Sequence, residues 1–409
     1  FLSHASEVDP AVGGARGAVV QVPTADLRAY RTALAEQKVV LDEGARRAWI
    51  ARGVRSRLQS LDLAVPVEDC ERLVPEVANL VEYPALLIGR FDPSFLELPD
   101  EVLRASMVGH QRYLPLCKPH ANDASVADAE ALKTLLDGFD QEGAPFDVAA
   151  APATAKKKQG GKKKTSTKKP SKSAAARVAE APDLTDDAAL ARPLADAPPG
   201  GLVDAFLAVI DRDADPKGQI RRGNERVLQA RLSDARFFWV EDRKLPLEAF
   251  SERLDGLIYH QSLGSFAEKQ RRLVDLVGKI GSHAGLSAAE QTHLESAASL
   301  CKADLVTQMV FEFPEVQGII GGYYAAHHGK PAPVCRAISE HYRPQGREDE
   351  LPTDGLARLL AISDKLDALA GFFLVTGDAK TGGDPLGLRR LTIGLLRLLA
   401  DEPRLTVGV

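Results

Sequence analysis

The sequence predicts a multidomain protein in which an α+β N-terminal part precedes a mainly α-helical domain. The first observation is length, because 409 residues are too many for one ordinary hydrophobic core. The second is that short apolar runs alternate with turn residues up to about residue 116, which is typical of short strands among helices. The third is that apolar residues recur every three or four positions towards the end of the chain, as in packed helices.

Residues 1–116 give the α+β pattern. The segments that predict it are a strand at 17–22, helices at about 27–36 and 42–58, a strand at 86–88 and a helix at about 100–110. The helix at 42–58 carries five arginines. We interpret them as a solvated face, with a phosphate-facing surface as the alternative.

Residues 117–202 interrupt this pattern. Ala, Asp, Gly, Pro, Ser and Lys dominate the segment, and it holds almost nothing to bury. Burial there cannot offset the ordering entropy of about 1–2 kcal/mol per residue, so we expect a disordered Lys-rich insertion. Its lysines could be a solvated spacer or an electrostatic tether for RNA, and the sequence leaves both open.

Residues 203–272 return to ordered structure and continue the α+β and helical region. The string Gly-Asn-Glu-Arg-Val at 223–227 enters a predicted helix with Leu228, Leu232 and Ala235 on one face. The apolar run at 237–240 is typical of a core strand or a helix end.

Residues 273–405 predict the helical domain. One buried helix is expected over about 299–313, ended by Pro314 because a residue before proline avoids helical geometry. A second carries Leu359, Ile362, Leu366, Leu369 and Phe373. A third opens at Asp384-Pro385 and carries Leu388, Leu391, Leu395 and Leu398.

The composition restricts the classes of function. With 52 basic and 57 acidic residues, any RNA contact must come from local patches. Four scattered cysteines, no secretory signal and no apolar stretch near ~20 residues predict a reduced, cytoplasmic protein without a membrane span. We find no phosphate-binding GxxxxGK(S/T) loop, nucleophile elbow or CxxC array. Because the chain starts at Phe1 and stops inside an apolar run, we expect a fragment.

Six ordered segments closely resemble one protein family, the beta subunit of the bacterial heterotetrameric glycyl-tRNA synthetase. They include GNERVLQARLSDARFFWVEDRK, IYHQSLGSFAEKQRR, KADLVTQMVFEFPEVQGIIGGYYA and DKLDALAGFF. The resemblance covers roughly residues 1–116 and 203–405, and it leaves the Lys-rich block as an insertion.

The resemblance implies a chain that binds tRNA(Gly) and supports ATP-dependent glycylation. The family's chemistry, with its ATP and Mg²⁺, belongs to an alpha subunit, separate or fused, so no cofactor is expected on this fragment. The C-terminal anticodon-binding domain of the family is expected beyond Val409.

The resemblance also implies an HD-type helical domain, a fold that in hydrolases holds a divalent metal. The candidates for such ligands are His283, Asp304, His341 and Asp364. Where the adjacent His-Asp pair belongs, the sequence reads Lys302-Ala303-Asp304, so we expect a degenerate site without metal.

Basic residues near these segments are our candidates for tRNA contacts: Arg226, Arg231, Lys302, Arg389, Arg390 and Arg397. Two alternative functions remain open at this point. One is an HD-type metal-dependent nucleotide phosphohydrolase, and the other is a structural scaffold that binds the alpha subunit but no RNA.

Overall fold

A computed structural model describes residues 30–31, 34, 37–119, 126–127, 198, 200–212, 215–376 and 386–405. The described chain is mixed α and β, with predominantly helical content and small antiparallel sheets. This confirms the predicted combination of α+β and helical structure. The chain divides into two compact units, Phe1–Leu232 and Ser233–Val409. The finer boundaries after residues 116, 202 and 272 stay predictions.

The first unit combines helices with a three-stranded sheet. Its elements, and the helix in which it ends, are α1 (Glu43–Leu61), β1 (Val65–Pro66), α2 (Val67–Ala78), β2 (Ala85–Arg90), α3 (Asp100–Arg104), β3 (Leu114–Cys117), β4 (Val126–Ala127), β5 (Leu202–Ile210) and α4 (Gln219–Asp242). A 3₁₀ turn at Pro93–Glu97 precedes α3, and a π-helix at Ala105–Gln111 follows it.

The sheet has the order β2-β5-β3, and both pairings are antiparallel. Every residue of β2 is buried, as are all but one of β5, so the central layer of this unit is dry. Gly89 lies opposite Phe206, and a Cβ at this position would stand 2.2 Å from the Phe206 ring. Glycine therefore makes room for an aromatic side chain that is fully buried and stacks on Tyr113 at 4.4 Å.

Several local predictions for this unit are confirmed. The Arg-rich helix is α1, the strand at 86–88 lies in β2, and the GNERV helix is α4, where Leu228 and Leu232 are fully buried. The predicted strand at 17–22 and the Lys-rich block lie outside the described residues. The helix predicted at about 100–110 is split, because its second half takes π-helical geometry.

The second unit is largely helical. Its remaining elements are α5 (Leu247–Ser251), β6 (Ile258–His260), β7 (Gly264–Ser265), α6 (Phe266–His283), α7 (Ala288–Ala298), α8 (Gln308–Glu312), α9 (Ile319–His327), α10 (Ala332–Glu340), α11 (Gly355–Thr376) and α12 (Leu388–Asp401). α6 and α7 both begin with a capping box, in which Ser265 pairs with Glu268 and Ser287 with Glu290. These reciprocal bonds satisfy amide groups that would otherwise lack a partner at each helix start.

The apolar stripes of α11 and α12 pack against each other. Ile362 and Leu369 of α11 share a buried cluster with Leu395 and Leu398 of α12. The spacing of three and four residues therefore correctly predicts both helices, but Phe373, the last residue of the stripe predicted for α11, is 51% exposed. Asp384 and Pro385, expected to open the last helix, lie outside the described residues.

The single helix predicted over 299–313 is wrong. The segment forms a 3₁₀ turn at Ala303–Val306 and then the short helix α8. Thr307 separates them, because its extended backbone lets the side chain accept a hydrogen bond from Val310 N at 3.3 Å. The run at 237–240 is also less buried than expected, since Phe237 and Val240 are about half exposed.

No helix among the described residues is long and apolar enough to cross a bilayer. Cys70, Cys117 and Cys301 are buried free thiols, and Cys335 is a half-buried one. Burial raises the pKa of the Cys70 and Cys301 thiols to about 12, so these groups stay protonated and unreactive at neutral pH.

Candidate functional site

A buried ionic cluster lies where the degenerate HD-type site was expected, within the second unit. Lys302 stands just before the 3₁₀ turn, His341 ends α10, and Asp364 lies on α11. The Lys302 ammonium is 2.9 Å from His341 Nε2 and 2.9 Å from Asp364 Oδ2. It also lies 3.9 Å from the centre of the Tyr342 ring. One fixed positive charge therefore joins three segments that are far apart in sequence.

The hydrogen bonds define the state of His341. Lysine can only donate, so His341 Nε2 must accept, and Nδ1 then carries the proton that it donates to Ile338 O at 2.6 Å. Burial and the neighbouring Lys302 ammonium hold the pKa of His341 well below its usual range, although Asp364 opposes them. The imidazole is consequently neutral at pH 7.

A second lysine shares Asp364. Lys269 of α6 lies 2.9 Å from Asp364 Oδ1 as an ion pair outside hydrogen-bonding geometry, and it donates to Asp367 Oδ2 at 2.9 Å. Burial alone would raise the pKa of Asp364, but Lys269 and Lys302 hold it well below its usual range. Burial alone would lower the pKa of Lys269, but Asp364 raises it above its usual range. Asp364 and Asp367 are therefore both held in ion pairs with lysine.

Asp304, a further acidic group beside the cluster, bonds to the backbone. It is fully buried, and its Oδ2 accepts a hydrogen bond from Gly318 N at the start of α9. Burial raises the pKa of Asp304 to about 6, against the lowering effect of that amide and of Lys302. Its carboxylate therefore bridges the 3₁₀ turn to α9.

These residues do not fit the divalent metal that the HD-type resemblance implies. The Lys302 ammonium occupies the space between the two best ligands, His341 and Asp364, and Lys269 adds a second positive charge. His283 is not part of the cluster. It is exposed at the end of α6, 14 residues or about 20 Å along the helix from Lys269. The described residues contain no group of three or more potential ligands able to hold a metal. We derive no metal chemistry here.

The burial of Lys302 also corrects one tRNA candidate. Its side chain is 1% exposed and both of its polar partners are internal, so it cannot contact RNA. The sequence did not reveal this, because a lysine is rarely buried unless it is paired, and its partners lie 39 and 62 positions away.

A cleft of about 870 Å³ in the first unit is lined by three arginines, Arg90, Arg222 and Arg226. It lies between the end of β2, at Arg90–Asp92, and the first turns of α4. Arg222 and Arg226 line it four residues apart on one helix face, and both are exposed. The Arg222 guanidinium donates to Lys217 O at 2.6 Å, whereas Arg226 makes no hydrogen bond or ion pair with a described residue.

The base of the cleft is rigidly built. Arg90 pairs with the buried carboxylate of Asp204 at 2.6 Å, so β2 and β5 are joined by a charge pair as well as by the sheet. The Arg90 amide donates to Glu225 Oε1 at 3.0 Å, which fixes α4 against the strand end. Asp215 accepts bonds from Gln219 N and Arg221 N at 2.8 and 3.0 Å, which caps α4 and orients its first arginines.

The other predicted contacts are dispersed. Arg231 is half-buried and lies 3.1 Å from His110 Nδ1, so its guanidinium is partly engaged. Arg389 and Arg390 are exposed at the start of α12, and Arg397 donates to Gly346 O at 3.2 Å. Arg222 and Arg90 were not predicted as site residues. Arg222 could have been inferred from its spacing of four residues from Arg226. Arg90 could not, because its place beside α4 depends on the fold.

Comparison with known proteins identifies relatives across both units. The family described as "Glycyl-tRNA synthetase beta subunit" matches residues 11–127 and 193–407. The glycine–tRNA ligase beta subunit of Phenylobacterium zucineum is 35% identical over 378 residues, 92% of this chain and 44% of that protein. Those of Moorella thermoacetica and Bacillus subtilis are 34% and 32% identical, covering 93% and 91% of this chain and 43% of each relative. The chain thus spans less than half the length of these relatives.

Proposed function

Because the chain belongs to the glycyl-tRNA synthetase beta subunit family, we propose that it binds tRNA(Gly) for glycylation carried out elsewhere in the complex. In this proposal an alpha subunit, separate or fused, holds glycine, ATP and Mg²⁺, and the complex is a cytoplasmic heterotetramer. The beta chain supplies proximity and orientation, by holding the tRNA where its acceptor end reaches the reacting centre.

The observation that carries the proposal is the arginine cleft beside the GNERV segment. Arg222 and Arg226 present two exposed guanidinium groups on one rigid helix face, and a phosphate backbone offers oxygens at which such groups bind bidentately. The capped helix start and the Arg90–Asp204 pair hold this face in place. Arg231, Arg389, Arg390 and Arg397 remain further candidates for tRNA contact.

The Lys302 cluster supports a structural role and not a catalytic one. Lys302 donates to both His341 and Asp364, and the ammonium between them excludes the metal on which a phosphohydrolase of this type depends. The phosphohydrolase alternative would predict hydrolysis of nucleotides that is lost in His341→Ala or Asp364→Ala.

Glycylation of tRNA(Gly) tests the proposal. A complete beta subunit containing this sequence is assayed with the alpha subunit, and each subunit is assayed alone. We expect glycyl-tRNA only when both are present. A folded pair that forms no glycyl-tRNA would contradict the proposal.

The Lys-rich insertion can be tested in the same assay. A deletion of residues 156–172, which carry the clustered lysines, is compared with the intact chain across a series of salt concentrations. If the lysines tether the tRNA, the deletion flattens the salt dependence, because fewer counterions are released on binding. If the block is a spacer, the two curves coincide.

A further inference from the structure

A cavity of about 380 Å³ lies beside the Lys302 cluster, within the second unit. This size is within the range of small-ligand sites, roughly 300–1,000 Å³. The charged side chains in its lining are four cations and one carboxylate: Lys269, Lys302, Lys365, Arg390 and Asp364. The cavity is therefore strongly positive.

Two of these cations have no carboxylate partner within 4 Å in the part of the chain that the structure describes. Asp364 is already shared by Lys269 and Lys302, which approach its two oxygens at 2.9 Å each. The Lys365 ammonium is 4% exposed and donates to a neutral acceptor, Tyr342 O, at 3.1 Å. The Arg390 guanidinium makes no hydrogen bond or ion pair with a described residue.

The pKa of Lys365 agrees with this imbalance. Burial, together with the Lys302 and Lys269 ammonium groups, lowers it to about 8, although Asp364 opposes them. A bound anion would reverse that effect by favouring the charged ammonium.

Part of the cavity lining is aromatic. Tyr259 and Phe372 pack with ring centres 5.6 Å apart, and both line the space together with Phe266. Flat apolar surface of this kind contacts the organic part of a ligand and not its charged group. The cavity therefore offers aromatic surface as well as positive charge, and the Lys269 ammonium lies 4.7 Å from the centre of the Tyr259 ring.

We propose that this cavity binds a small phosphate monoester, with its phosphate against Lys365 and Arg390 and its organic part against Tyr259 and Phe372. A phosphate suits the two cations better than a carboxylate does, because it carries close to two charges and three strong acceptor oxygens. The cavity binds this ligand without reacting with it, because the Lys302 ammonium lies where an HD-type hydrolase would hold its metal. The inference is independent of tRNA binding, so either can fail alone.

Calorimetric titration of the full chain with three probes tests this proposal. The probes are AMP, inorganic phosphate and adenosine. We expect saturable binding of AMP, weaker binding of phosphate and none of adenosine. Adenosine binding equal to that of AMP, or no saturable AMP binding, would overturn the phosphate site. Phosphate binding as tight as AMP would overturn the role of the aromatic wall.

Variants locate the site. Lys365→Met keeps most of the side-chain volume, and Arg390→Gln changes an exposed residue, so its folding is not at risk. Each should weaken AMP binding by about tenfold, the effect of losing one charge-assisted hydrogen bond. The control is Arg347→Gln, an equal change of charge at a side chain that is 85% exposed and absent from the cavity lining, which should leave AMP affinity within about twofold. Equal AMP affinity in Arg390→Gln and the unsubstituted chain would refute the assignment.

Discussion

Replacing Lys302 by methionine should destabilise the second unit strongly. The change removes the ammonium that lies 2.9 Å from both His341 and Asp364, and the methionine fills most of the space. Removing one partner of a buried charge pair costs about 3–5 kcal/mol, because the other charge stays buried without compensation. Asp364 keeps Lys269 at 2.9 Å, so we expect the lower end, about 3 kcal/mol.

The loss of unfolding free energy caused by Lys302→Met should be smaller at pH 6 than at pH 8. In the unsubstituted chain the Lys302 ammonium helps to depress the pKa of His341. Without it, burial still disfavours the charged imidazole, but Asp364 faces the ring, and we expect the folded pKa of His341 to rise towards the unfolded value of about 6.5. A depressed folded histidine pKa costs stability as pH falls below the unfolded pKa, so the unsubstituted chain loses stability at pH 6 that the variant keeps. The cost of Lys302→Met should thus be about 1 kcal/mol smaller at pH 6 than at pH 8, since one unit of pKa shift is worth about 1.4 kcal/mol.

Urea denaturation at pH 6 and pH 8 measures both quantities. The matched control is Lys279→Met, at an exposed position of α6, which should change the free energy of unfolding by less than about 0.5 kcal/mol. A loss below about 1 kcal/mol for Lys302→Met at pH 8, or an equal loss at both pH values, would refute the account of this cluster.

Three other substitutions have defined outcomes. Burial raises the pKa of Asp304 from 3.8 to about 6, so its ionisation costs stability as pH rises from about 4 to 6. Asp304→Asn should remove that slope, worth roughly 3 kcal/mol, from urea midpoints measured between pH 4 and 7. Gly89→Ala should cost at least about 1–3 kcal/mol in thermal unfolding, because its Cβ meets the Phe206 ring at 2.2 Å, and no loss would argue against this packing. Arg90→Met should cost about 3–5 kcal/mol by removing the guanidinium that pairs with the buried Asp204 carboxylate, and Arg90→Met/Asp204→Leu should recover part of it in the same unfolding assay.

Sequence patterns predicted the parts of the fold that depend on local periodicity. The stripes of α11 and α12 follow from apolar spacing alone. The helix expected over 299–313 failed because apolar spacing does not register a cap, and Thr307 provides one in the middle of the segment.

The candidate sites were harder to predict, because they depend on long-range pairing. Sequence order suggested His283, His341 and Asp364 as one group, but His283 lies about 20 Å along α6 from Lys269, the residue of that helix that contacts Asp364. Lys302 was assigned to the surface since most lysines are exposed, and its partners become visible only in the fold. In the cleft, the spacing of Arg222 and Arg226 can be read from the sequence, whereas the position of their helix beside the end of β2 cannot.

The affinity of a complete beta subunit for tRNA(Gly), measured across a salt series, tests the central claim most directly. The variants are Arg222→Gln and Arg226→Gln, with Arg347→Gln as the control. If the cleft binds phosphates, each cleft variant weakens binding and reduces the slope of log affinity against log salt by about 1, while the control leaves both unchanged. Unchanged slopes in both cleft variants would contradict the claim that these arginines hold the tRNA.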